Sequence, residues 1–307
     1  MLRFIVQRLL AAIPTVFAIA LITFFMGYFA PGDPISIMLG DKGDPQVIEG
    51  LKEEYGLNKP ALEQFGNFAW GALHGDFGKS YFYRGRPISD IIRQGFPVSV
   101  RLALVAVAIQ ILLGVSAGIL AAVYKDSWID RLSMFLAMVA VSIPSFVLAL
   151  FLMIVFALRL GVLPVAGWGE PQHYILPAIV LGARSAAYTA RLTRSSMLDV
   201  IRQDYIRTAF SKGVSKRVVI LKHAFRNAMI PVVTTLAISL GYLMTGSFII
   251  ETIFNIPGIG RASIVSIFQR DYPVVQATTL LLAVIFVITN LVVDIIYTWI
   301  DPRIKYS

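Results

Sequence analysis

The sequence predicts an all-α polytopic membrane protein with six transmembrane helices and both termini on the cytoplasmic side. Three observations carry that prediction. The chain of 307 residues is 57% hydrophobic and only 15% charged, with a mean hydropathy of +0.74, so it has too few charges to cover a water-soluble globule of this length. The apolar residues are gathered into long charge-free windows. The excess of Lys and Arg, a formal net charge of +9, collects on one side of the spans that those windows define.

Five windows are free of charge: Leu9 to Gly32, Leu102 to Tyr124, Leu132 to Leu158, Asn227 to Ile250 and Tyr272 to Val293. Each offers the roughly 20 residues a helix needs to cross the hydrocarbon core. The first is preceded by Arg3 and Arg8 like a secretory signal, but it runs for 24 residues with no A-x-A-like site after it, which reads as a retained anchor. A sixth span, Tyr174 to Ala190, is interrupted by Arg184. It is accepted because Leu176 to Leu181 is apolar, small residues follow, and without it the two basic loops would fall on opposite sides.

The second and third spans are joined by the short turn YKDSWIDR, Tyr124 to Arg131, which predicts an antiparallel hairpin. Gly114, Ala117, Gly118, Ala121 and Ala122 give that hairpin a small-residue face for close helix packing. The stretch Ser142 to Ser145, SIPS, puts a proline within the third span and predicts a kink with freed carbonyls. With the N-terminus inside, the cytoplasmic face gathers Arg3, Arg8, Lys125, Arg131, Arg303, Lys305 and nine more basic residues between Arg191 and Arg226. The expected organisation is therefore an N-terminal transmembrane helix over 1–32, an extracytoplasmic segment of short helices over the outer mouth at 33–97, a five-helix core over 98–300 and a cytoplasmic tail at 301–307.

Several chemistries are excluded or weakened. There is no cysteine, hence no disulfide, thiolate metal site or thiol nucleophile, and His74, His173 and His223 lack metal-ligand spacing. Gly78-Lys79-Ser80 ends like a P-loop, but Leu73 stands where that loop needs its first glycine and the segment is expected outside, away from ATP. The chain has no H-E-x-x-H or nucleophile elbow, so no catalytic residue, metal or bound cofactor is expected. The positive charge reads as topology and not as nucleic-acid binding.

The stretch Met197 to Pro231, MLDVIRQDYIRTAFSKGVSKRVVILKHAFRNAMIP, stands apart as basic and amphipathic between two apolar spans. Met197, Ile201, Tyr205 and Ala209 recur at helical period, with Leu198, Ile206 and Phe210 beside them, while Arg202, Asp204, Arg207 and Lys212 lie off the stripe. Gly213 is placed to end this helix in the left-handed conformation and Ser215 to cap the next, which runs to Asn227 and Pro231 where the fifth span begins. A resting place on anionic lipid and a socket for a soluble protein both fit that composition.

DYIRTAFSKG followed by HAFRNAMIP resembles the cytoplasmic EAA loop of ABC importer membrane subunits, in the form used by the dipeptide and oligopeptide permease family. The general loop reads E-A-A-x-x-x-G with a later I-x-L-P. Here Thr208 and Ala209 stand nearest the alanines and the gap from Gly213 to Pro231 is longer, both as in the peptide-permease subgroup. AIPTVFAIALITFFMGYFAPGDP at Ala12 to Pro34, YGLNKP at Tyr55 to Pro60, HGDFGKS at His74 to Ser80, SIPSF at Ser142 to Phe146, LGVLPVAGW at Leu160 to Trp168, YTARLTR at Tyr188 to Arg194, FNIPGIGR at Phe254 to Arg261, RDYPVVQ at Arg270 to Gln276 and DPRIKY at Asp301 to Tyr306 resemble that family's B-type membrane subunit in order along nearly the whole chain.

The resemblance implies a type I ABC importer fold, in the cytoplasmic (inner) membrane of a prokaryote. It implies a second homologous permease subunit forming a heterodimer, two cytoplasmic ABC ATPase subunits that use ATP and Mg, and an extracytoplasmic solute-binding protein. Di- and oligopeptides are the expected cargo, with glutathione or nickel complexes as the alternative. The coupling residues it marks are Arg202, Asp204, Tyr205, Ile206, Arg207, Thr208, Ala209, Lys212 and Gly213, a short rigid helix that offers a Tyr/Ile/Ala face to the ATPase. Arg184, a charge within a span, and Ser142 and Pro144 at the predicted kink are candidates for the substrate path. A self-sufficient ion-driven transporter would call for intramembrane relays and matched broken helices, of which the sequence offers few; an intramembrane enzyme is a remoter reading.

Overall fold

A computed structural model describes residues 2–32, 35, 39, 44–83, 85–244 and 248–300. The expected tail 301–307 and its DPRIKY motif lie outside them. Among the described residues the chain folds as helices and connecting turns: α1 (Leu2–Tyr28), α2 (Pro45–Glu54), α3 (Ala61–Leu73), α4 (Ile88–Val123), α5 (Trp128–Ser142), α6 (Ser145–Arg159), α7 (Gln172–Ile201), α8 (Asp204–Ser211), α9 (Lys216–Met244), α10 (Phe248–Ile253), α11 (Ile259–Phe268) and α12 (Tyr272–Ile300). Helices α4 and α9 and the greater part of α1 and α12 are long and apolar enough to cross a membrane, and α5 with α6 makes a fifth span if the bent pair is counted as one.

The chain divides into two compact units, one of Met1–Ser99 with Pro257–Ile288 and one of Val100–Ile256 with Thr289–Ser307. In the first, aromatic rings of α1 and α3 interlock, with Phe24 edge-on to Phe65 at 5.4 Å between centroids. Helix α2 begins on Asp44, whose carboxylate accepts from Gln46 N at 3.0 Å with Pro45 at the first position. The Gly78-Lys79-Ser80 stretch is a clamp. Buried Ser80 donates its hydroxyl to Asp271 Oδ2, while the backbone N–H groups of Tyr81 and Phe82 reach Asp271 at 3.1 and 3.2 Å. Ile88, Ile91, Val274 and Ala277 close the core beneath it.

In the second unit α7 packs on α4, α5, α6, α9 and α10. This enclosure explains its weak hydropathy, because a helix surrounded by protein needs small residues where a lipid-facing one needs large apolar side chains. Gly114 and Gly118 of α4 supply the close approach. A Cβ on Gly114 would stand 2.7 Å from Ala186 O, and one on Gly118 would stand 2.5 Å from Thr193 Cβ. Gln110 Nε2 lies 2.9 Å from Thr189 Oγ1 and 3.1 Å from Ser239 Oγ, so one amide ties α4, α7 and α9 together.

The predicted kink at SIPS is a complete break. Ile143 and Pro144 are both extended, because a residue preceding proline is pushed out of the helical region, and the axes of α5 and α6 differ by 106°. Helix α4 begins at Ile88, well before the charge-free window at Leu102, and carries Pro97 inside it.

Candidate functional site

The basic stretch folds differently from its periodicity. Met197 to Ile201 are the last turn of α7, not the first of a loop helix. The chain turns at Arg202 and Gln203, and α8 starts at Asp204 with Gln203 extended at its N-cap. An acidic first residue suits the positive end of the helix dipole.

The far end of α8 is closed as expected. Gly213 adopts φ +78°, Gly213 N donates to Phe210 O at 2.9 Å and Val214 N to Ala209 O at 3.2 Å, the paired bonds of a Schellman turn. Ser215 stands at the N-cap of α9 in extended conformation but its side chain makes no capping bond. From there α9 runs unbroken to Met244, past Pro231 and through a widened π turn at Val219–Ala224. The second loop helix and the fifth span are thus one element.

Ile206 is fully buried against Met197, Val219, Ala224, Ala228 and Ala122, with Ala209 and Val214 at the margin of the cluster. Of the expected Tyr/Ile/Ala face, Ile206 turns inward and holds α8 against its own chain. Asp204, Tyr205, Arg207, Thr208 and Phe210 are exposed, with Arg202, Lys212 and Gly213 exposed at the two ends. Tyr205 is braced as well, its hydroxyl accepting from Asn227 Nδ2 at 3.0 Å. The 4.0 Å approach of Arg207 to Asp204 joins two solvent-exposed side chains and contributes little. The arrangement presents a short, rigid, polar and aromatic surface with no reacting group. The sequence places Phe210 beside the apolar stripe and Asn227 at the end of the second helix, and gives no signal for the brace that Asn227 makes; its Nδ2 also bonds His223 O at 3.1 Å.

The path candidates lie on separate elements. Ser142 Oγ donates to Met138 O at 2.9 Å, so its hydroxyl serves the end of α5, and Pro144 caps α6; both are exposed. Arg184 is exposed on α7. Among the described residues no group of three or more His, Asp or Glu is placed to hold a metal ion.

A family profile described as "Binding-protein-dependent transport system inner membrane component" matches residues 114–306, and one described as "Binding-prot-dependent transport system membrane comp, N-term" matches residues 1–103. The glutathione transport system permease protein GsiC of Shigella flexneri serotype 5b (strain 8401) is 45% identical over 307 residues, covering all of both chains. GsiC of Escherichia coli (strain K12) is 44% identical over the same span. Among solved structures, the inward-facing MetNI methionine ABC transporter is similar with a TM-score of 0.59 at 16% identity, over 69% of this chain and 96% of that one. An amino acid ABC transporter with histidines gives a TM-score of 0.53 at 16% identity, over 70% and 95%. At such identity the likeness establishes the fold.

Proposed function

The chain belongs to the binding-protein-dependent transport system inner membrane component family, and from that premise we propose that it is one of two homologous permease subunits of an ABC importer that carries glutathione. The observation that carries the cargo is the 45% identity with a glutathione permease along the entire length of both chains. The sequence alone put di- and oligopeptides first and glutathione second; the relatives reverse that order. Nothing in this reading asks the chain to be an enzyme. ATP and Mg are used by two cytoplasmic ABC ATPase subunits, and an extracytoplasmic solute-binding protein delivers the cargo.

In the proposed topology six helices span the cytoplasmic membrane with both termini inside, α7 being the sixth span and α5 with α6 together another. Residues 33–97 lie outside over the mouth, and 98–300 form the permease core. Helix α8 then lies on the cytoplasmic side and docks in the ATPase through Tyr205, Arg207, Thr208 and Lys212. Ile206 and the Gly213 turn make it rigid, so closure of the ATPase pair is transmitted as a rigid-body motion. Arg184, Ser142 and Pro144 belong to the path between the two permeases.

Reconstitution of this chain with its partner permease, ATPase subunits and binding protein in proteoliposomes tests the reading. ATP-dependent accumulation of radiolabelled glutathione is expected. Uptake that persists with no ATPase bound would sink the importer reading, whereas import of dipeptides with refusal of glutathione would sink the cargo alone.

A further inference from the structure

From Gly182 to Met197 helix α7 is buried or half-buried at every position but four, and those four are Arg184, Tyr188, Arg191 and Ser195. Their spacing of four, three and four residues places them on one narrow face. The rest of the helix is spent on packing, with Ala186, Ala187, Thr189, Ala190 and Thr193 buried.

The arginines on this helix are of two kinds. Arg194, off the stripe, grips Asp130 with Nε to Oδ1 at 2.6 Å and Nη2 to Oδ2 at 2.7 Å. Among the described residues the side chains of Arg184 and Arg191 have no hydrogen-bond or ion-pair partner. A structural arginine in a membrane protein is satisfied by its own chain, as Arg194 is. Two exposed ones without a partner in the chain, aligned on the single open face of an otherwise enclosed helix, are placed to receive an anion from outside the chain.

We infer that this face is a solute-contacting stripe, in which Arg184 and Arg191 receive the two carboxylates of a passing anion and Tyr188 lends a hydroxyl between them. Seven residues of helix separate the two guanidinium-bearing positions by about 10 Å along the axis, within reach of an extended tripeptide-sized ligand. Glutathione carries two carboxylates and one ammonium, a net charge of −1, whereas a neutral dipeptide carries one of each. The stripe therefore favours solutes with a second carboxylate. The inference rests on the importer reading above and goes further by assigning charge selection to named side chains. Arg184 and Arg191 touch solute in it; Ser195 continues the exposed face toward Asp199.

The test compares glutathione with trialanine, a tripeptide with one carboxylate, in proteoliposomes of the complete importer. The binding protein is saturated with each solute, so that the membrane step is read. Arg184→Gln and Arg191→Gln should each slow glutathione uptake by about tenfold, the loss expected of one charge-assisted hydrogen bond, and slow trialanine, whose single carboxylate can sit on the remaining arginine, several-fold less. Arg184→Lys and Arg191→Lys should restore part of the glutathione rate. Equal slowing of both solutes, or of neither, overturns the stripe. So does separation of the two permeases in the Gln variants, which would make this face a subunit contact. If the wild type refuses glutathione, the cargo reading falls by itself and diglutamate is set against dialanine; absence of an arginine-dependent preference for the acidic member would then sink the stripe too.

Discussion

Arg194 closes on Asp130 through two parallel bonds, at 2.6 and 2.7 Å, and Asp126 N adds a third at 3.0 Å to the same carboxylate. Asp130 is 5% exposed at its side chain and Arg194 26%. The pair locks the α4–α5 turn, where Asp126 takes a left-handed φ of 62°, onto the helix that leads into α8. Asp130→Ala leaves a half-buried guanidinium and a backbone N–H without their acceptor, and should cost about 3 kcal/mol. Arg194→Lys keeps the charge but loses the fork geometry and should cost less. Thermal unfolding of the purified permease in detergent gives the order; equal melting points for wild type and Asp130→Ala would show that the clamp is idle.

The surface of α8 and its anchoring can be separated. Arg207→Glu with Lys212→Glu changes only exposed side chains, so the protein should insert and melt as the wild type does while its ATPase dissociates or runs uncoupled from transport. Co-purification of the ATPase subunits reads this directly. Undiminished binding would return the stretch to a resting place on lipid.

Ile206→Ala should act from inside. Removing a fully buried isoleucine side chain costs about 2–4 kcal/mol, here concentrated on the small cluster that seats α8. Because the chain has no cysteine, a single cysteine introduced at Ala209, half-buried at the margin of that cluster, reports the looseness of the helix. Its labelling by a maleimide should quicken in the Ile206→Ala background, and also with Gly213→Ala, which forces a Cβ into φ +78° at a cost of about 1 kcal/mol. Unchanged labelling in both would mean that α8 is held by its outer contacts.

How much of this was legible in the sequence follows from which physics each feature depends on. The apolar windows were plain because lipid-facing helices must be apolar throughout. Helix α7 was faint because protein encloses it, and the glycines of α4 that enclose it were readable as a packing face. The start of α8 was misplaced because Met197, Ile201 and Ile206 all turn into one core, so the apolar period runs across the bend at Arg202 and Gln203 without a mark. At SIPS the proline was read and its neighbour was not: an extended Ile143 turns a kink into a break. The Gly-Lys-Ser stretch was rejected as a phosphate loop, but its purpose, holding Asp271 nearly 200 positions away, belongs to tertiary structure alone.

That buried aspartate gives the last prediction a definite sign. Asp271 stands at the start of α12, just outside the apolar span, and receives the Ser80 hydroxyl together with the N–H groups of Tyr81 and Phe82. Burial raises its carboxyl above the ordinary range, and the hydrogen bonds from Ser80, Tyr81, Phe82 and Val274 pull the other way without overcoming it. A carboxyl raised on folding holds its proton more tightly in the folded protein than in the unfolded one. Its contribution is therefore complete below the unfolded value, about pH 3.9, and is lost as pH rises through the folded value. Asp271→Asn has no proton to lose. The melting-point advantage of wild type over Asp271→Asn should accordingly be greatest at the acid end, shrink as pH rises through the folded value and then stay level. Ser80→Ala removes one of the downward pulls, so the same fall should come at higher pH. An advantage that instead grows with pH would mean that the hydrogen bonds outweigh burial and that Asp271 is held ionised.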